Sequence, residues 1–167
     1  MAMGTPPRAT DSSRQLLRHT VATLAYRGGK AVRGAPASFA GFNAAGGARS
    51  PAQILAHIGD LLDWALSTAE GKQRWHNSAP LPWEQEIERF FSALDKFDRY
   101  LSSGGQLHAA PEKLFQGPIA DALTHVGQIN ILRRLAGVPV RGENYFVAEI
   151  SAGRVGADQA VPKQEFD

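Results

Sequence analysis

Apolar residues recur at helical intervals in four stretches of this chain, and glycine and proline separate the stretches. The first, 11–27, places Leu16, Leu17, Val21, Leu24 and Ala25 on one stripe. Asp11, Ser12 or Ser13 offers its N-cap, and Gly28-Gly29 predicts its end. The second, 51–70, opens with Ser50 as N-cap, Pro51 at the first helical position and Gln53 completing a capping box. Ile54, Ile58, Leu61, Leu62 and Ala65 form its apolar face, and Gly71 stops it. In the third, 83–101, Trp83, Ile87, Phe90, Phe91, Leu94, Phe97 and Leu101 make a broad aromatic face. The fourth, 118–135, carries Ile119, Ala122, Val126, Ile129 and Leu132, with Gly137 and Pro139 as a stop.

Four amphipathic helices predict an all-α protein, a four-helix bundle over 11–137. Residues 1–10 are expected to form a disordered tail. Residues 138–167 are expected to form an extended tail packed on the bundle, attached through Tyr145, Phe146 and Val147. The predicted core is Leu17, Leu24, Ile54, Ile58, Leu61, Leu62, Phe90, Phe91, Leu94, Phe97, Val126, Ile129 and Leu132. The connection after the first helix is long for a bundle and is enough to cross its length.

Composition narrows the function. The 167 residues include no cysteine, which removes disulfides, thiolate metal sites and cysteine nucleophiles. The net charge is +2, and no Lys/Arg run builds a phosphate-tracking stripe, so a nucleic-acid partner is not expected. No apolar run reaches membrane-spanning length, and residues 1–15 lack the apolar centre of a signal peptide. A soluble cytoplasmic protein is the expectation.

Three polar residues stand where a bundle wants apolar ones. His57 lies at the edge of the second helix's apolar face. Asp121 and His125 are four apart on the fourth helix, so both point the same way from successive turns. Imidazole and carboxylate suit zinc, nickel or iron, and a third ligand from a facing helix would leave positions open for substrate. The plainer alternatives are a hydrogen-bonded core histidine and a carboxylate at the positive end of a helix dipole. Gln128 and Trp64 are candidates to support the ligands or to wall the same site. His19 reads as surface, and His76 and His108 fall in loops. Gly59 and Gly127 face away from the site and are expected to permit close packing. Arg133-Arg134 reads as favourable charge at a helix C-terminus, with an anion-holding role as the alternative.

These residues carry a resemblance. The run from Pro118 to Ile129, containing His125-Val126-Gly127-Gln128-Ile129, followed by Leu132 to Gly137, resembles the last bundle helix of the DinB/YfiT-like superfamily. Ile54 to Trp64, containing His57, resembles that superfamily's second helix, and Gly142-Glu143-Asn144-Tyr145-Phe146 is similar to the tail of one branch. The resemblance implies an up-down-down-up bundle, often a homodimer, with a divalent metal (zinc or nickel) held by three histidines. Here Asp121 stands where the usual pattern has the first histidine of His-x-x-x-His. It also implies a transferase or isomerase using a low-molecular-weight thiol. A metal lowers a bound thiol's pKa, and a chain without cysteine needs that thiol from outside. Metal-assisted hydrolysis is the other enzymatic expectation. The competing class is a non-catalytic small-molecule-binding or dimerisation bundle, in which His57, Asp121 and His125 form a hydrogen-bond network.

Overall fold

A computed structural model describes residues 9–167. It is mainly helical, in the order α1 (Ala9–Val32), α2 (Pro51–Ala69), α3 (Trp83–Ser102), α4 (Pro111–Leu114) and α5 (Ala120–Leu135). A short 3-10 turn (Ala37–Gly41) follows α1. The two strands are β1 (Gly142–Glu143) and β2 (Glu165–Phe166), antiparallel with Gly142 opposite Phe166. The tail expected over 1–10 lies outside the described residues, except that Ala9 and Thr10 open α1. Among the described residues no helix is long and apolar enough to cross a membrane.

Local signals account for α2 and α3. The Ser50 hydroxyl accepts from the Gln53 backbone N–H at 3.3 Å, and Gln53 Oε1 accepts from the Ser50 N–H at 2.9 Å. Two donors that a helix start leaves orphaned are thereby satisfied. Glycine with positive φ at Gly71 and at Gly104 follows α2 and α3.

Two helix boundaries differ from expectation. α1 runs through Gly28-Gly29 to Val32. These glycines are packing positions: a Cβ on Gly28 would lie 2.5 Å from Phe90 Cζ, and one on Gly29 3.3 Å from Phe91 Cζ. The helical path expected to begin at Pro118 begins instead at Pro111. Between α4 and α5 the chain makes a π-turn over Phe115–Ile119 that contains Pro118. A proline inside a helix removes one N–H and crowds the preceding turn, and the wider π-turn relieves both.

The helices share one core. α1 and α2 each pack against both α3 and α5, with α2 on α3 the most extensive contact. All of the predicted core residues are buried except Phe91, which sits half-buried beside Gly29 at the edge of the α3 face. Leu16, placed by its spacing on the α1 stripe, is 65% exposed because the stripe turns inward at Leu17. Gly59 is a close-packing glycine as expected, under the Arg89 guanidinium. Gly127 is not: a Cβ there would meet nothing within 4 Å.

Buried charges tie the tail down. Glu143 accepts from Tyr26 Oη and from Lys30 Nζ, both at 2.6 Å, and Lys30 also reaches Glu165 at 2.8 Å. Burial and the Glu143 carboxylate push the Tyr26 hydroxyl well above its ordinary pKa. Glu143 and Val155 are therefore the buried attachments, while Tyr145 packs edge-on to Tyr26 and Phe146 is 95% exposed. Arg133 turns inward and donates to the carbonyls of Ala31, Arg33 and Val138. It holds the end of α1 rather than an anion.

Substitution at Gly28 separates a packing glycine from a helix stop. In an unconstrained helix Gly→Ala gains about 1 kcal/mol. Here Gly28→Ala is expected to lose about 1–2 kcal/mol through overpacking against Phe90. Phe97→Ala should cost about 3–5 kcal/mol and Leu16→Ala less than about 0.5 kcal/mol. Urea unfolding of the three variants checks this, and a stabilised Gly28→Ala would refute the packing role.

Candidate metal centre

His57 stands in the second turn of α2, between buried Ile54 and Leu61 on one side and the α5 face on the other. On α5 the core face is Ala122, Val126 and Ile129, and Asp121 and His125 occupy the flank facing α2. The His57 and His125 rings meet edge to face, with centroids 4.7 Å apart. Asp121 lies between them, Oδ2 3.7 Å from His57 Nε2 and Oδ1 3.5 Å from His125 Nε2. One donor atom from each residue falls within 4.8 Å of the others, the one such group of three among the described residues.

Those spacings can be compared with a coordination sphere. Bonds of about 2.0–2.1 Å in a tetrahedron put ligand atoms about 3.3 Å apart. The two carboxylate distances are already close to that, and small torsional changes cover the rest. The donor set is also chemically suitable. His125 Nδ1 donates to Gln128 Oε1 at 2.8 Å, which fixes the ring with Nε2 as the nitrogen turned toward Asp121. Burial, then His125 and Arg49, push His57 below its ordinary pKa against the opposing pull of Asp121, which favours the neutral form of that ring. Asp121 is half-exposed, which keeps one side of the cluster open.

A cavity of about 550 Å³ opens beside the two imidazoles, and Asp121 lies outside its lining. Ile54, Ile131 and Leu132 form its apolar wall, and Arg49, His57, His125 and Gln128 its polar one. Gln128 is thus at the site, bonded to a candidate ligand. Trp64 stands one ring back: it packs edge-on against Trp75, which in turn packs edge-on against His57 at 5.7 Å.

Three neighbours of the cluster were not among the expected site residues. Trp75 comes from the segment 71–82, where a tryptophan in a polar stretch was the only hint of a contact. Arg49 precedes the N-cap of α2. Asp60, one turn beyond His57, is buried and accepts from the Ser78 N–H (2.9 Å), the Ser78 hydroxyl (2.7 Å) and Arg89 Nη2 (2.6 Å). Burial alone would raise the Asp60 carboxyl. The Ser78 and Arg89 hydrogen bonds outweigh it and hold the group below its ordinary value of 3.8. An acidic residue one helical turn from His57, within an apolar run, was its signal.

Comparison with known proteins finds no family model that matches this chain, and no curated protein or solved structure that matches it.

Asp60 sets an acid limit on the segment beside the site. A carboxyl depressed on folding contributes its stability above the unfolded value near 3.8 and loses it as pH falls through the folded value. Asp60→Asn should therefore cost about 2–4 kcal/mol at pH 7, with the difference from wild type shrinking below about pH 4. Urea midpoints measured from pH 7 to pH 3 check it. A difference that stays constant over that range would contradict the assignment.

Proposed function

We propose that His57, Asp121 and His125 hold a divalent cation (zinc, nickel or iron) and that the protein is a metal-dependent enzyme acting on a small molecule with a low-molecular-weight thiol as co-substrate. The observation that carries this reading is the convergence of three donor atoms within 4.8 Å beside an open cavity. Two neutral imidazoles and one carboxylate would leave a divalent cation with one net positive charge, which suits an anionic thiolate. A bound cation supplies the pKa depression that keeps a thiol deprotonated at neutral pH. The chain's own residues do the rest: Gln128 holds the His125 tautomer, Asp121 supplies charge, and the Ile54, Ile131 and Leu132 wall excludes water. The absence of cysteine requires that the thiol come from outside. Transfer or isomerisation is favoured over hydrolysis by the DinB/YfiT-like resemblance of the His57 and His125 motifs. The same resemblance supports an up-down-down-up arrangement of α1, α2, α3 and the α4–α5 path, and a homodimer. The placement of α1 and α2 each against both α3 and α5 is compatible with that topology.

A second reading has its own observation. Asp121 lies 3.7 Å from His57 Nε2 and 3.5 Å from His125 Nε2, so with those nitrogens protonated the three residues also make a polar network of their own in a small-molecule-binding protein.

Zinc uptake by the purified chain decides between them. The expected outcome is one equivalent per chain, measured by chelator competition. His125→Ala should abolish it while costing less stability than removal of a core leucine. Gln128→Leu should weaken zinc about 10–100-fold by freeing the ring. A wild-type protein that takes up no zinc, nickel or iron would leave the binding-protein reading. Where metal binds, dependence of turnover on added thiol separates transferase or isomerase from hydrolase.

A further inference from the structure

Arg49 lines the His57/His125 cavity and also the two depressions beside it, so this residue stands where all three meet. It is close enough to His57 to push that imidazole toward its neutral form. Three other arginines on the helices are committed: Arg18 to Asp98, Arg89 to Asp60 and Asp63, Arg133 to backbone carbonyls. Among the described residues no carboxylate lies within ion-pairing distance of Arg49, and it is exposed. It is the one arginine or lysine lining the cavity. Its backbone position adds to the field, since it directly precedes the N-cap at the positive end of a 19-residue helix. The capping box already occupies the Ser50 and Gln53 N–H groups.

We propose that Arg49 is the recognition residue of this site, and that the molecule it selects has an apolar body and a single carboxylate. The carboxylate meets the planar guanidinium, which can engage both of its oxygens at once. The apolar body lies along Ile54, Ile131 and Leu132, and the far end reaches His57 and His125. A monoanion is preferred to a phosphate dianion for two reasons. One guanidinium balances one charge, and Asp121 repels further negative charge on the other side of the imidazoles. The inference deepens the metal-dependent reading by naming a substrate class, and rests on it only for the chemistry at the imidazoles.

Metal-free full-length protein tests it independently of that chemistry. Sodium hexanoate, hexan-1-ol and inorganic phosphate are titrated separately, following the His57 and His125 imidazole signals and Arg49 Nε by NMR. Hexanoate should shift all three and bind about tenfold more tightly than hexan-1-ol, the difference made by one charged hydrogen-bonded pair. Arg49→Gln should erase that preference while leaving hexan-1-ol unchanged. Arg134→Gln, an exposed arginine outside the cavity, should retain it. Equal hexanoate affinity in Arg49→Gln and wild type would overturn the proposal, as would a wild type that binds hexanoate no better than hexan-1-ol. Phosphate binding in place of hexanoate would overturn the choice of a carboxylate. Zinc uptake on the same samples separates the two readings. Zinc without Arg49-dependent hexanoate binding removes this inference alone, and hexanoate binding without zinc removes the metal alone.

Discussion

The candidate site depends on one buried carboxylate. Asp60 gathers a helix, a guanidinium and a loop at a single point: it lies on α2, accepts from Arg89 on α3, and accepts twice from Ser78. Gly59 makes this possible, because Arg89 lies where any side chain at 59 would stand, the nearest atom 2.8 Å from the missing Cβ. The segment 71–82 has no helix or strand of its own, and polar ties of this kind hold it. Ser67 Oγ bonds the Arg74 backbone, Asp60 bonds Ser78, and Glu86 accepts from the Leu81 N–H. Trp75 is thereby held against His57, so α3 acts on the site without contributing a residue to it.

Close approach elsewhere follows the same logic. Aromatic rings from α3 fill the space that Gly28 and Gly29 leave on α1, and the helix passes through two glycines because the Phe90 ring replaces what their side chains would supply. Dispersion and burial from such a ring outweigh the helix-propensity loss of the glycines. Two buried cations then close the ends. Arg133 collects carbonyls at the end of α1, and Lys30 with Tyr26 holds Glu143 of the tail. Both cations are held by several hydrogen bonds, which is the condition for their desolvation to be tolerated.

The site itself is placed between core and solvent. Burial pushes the His57 ring toward its neutral form, while about half of the Asp121 side chain stays exposed. A deeper position would penalise the carboxylate, and a fully exposed one would let water compete for every donor. Arg49 at the rim gives the cavity an electrostatic direction, with a cation at the mouth and a carboxylate beyond the imidazoles.

Several features were legible in the amino-acid order because their causes are local. The capping box at Ser50, the aromatic period of α3 and the shared face of Asp121 and His125 follow from backbone geometry over one or two turns. Polar residues interrupting apolar stripes marked His57, Asp121 and His125 for the same reason. Tertiary structure decided everything that two distant segments settle together. Gly28-Gly29 read as a stop and became a packing surface, because Phe90 lies 62 positions further along the chain. Pro118 read as a start and became part of a π-turn, and Phe146 read as an anchor where Glu143 is the buried one. Arg49 and Trp75 sit in segments with no period to read, so only the approach of α2 to α5 and the pinning of 71–82 by Asp60 bring them to His57. Periodicity reports which side of an element faces inward. It carries no information about what that side meets, since the partner is chosen by packing across the whole chain.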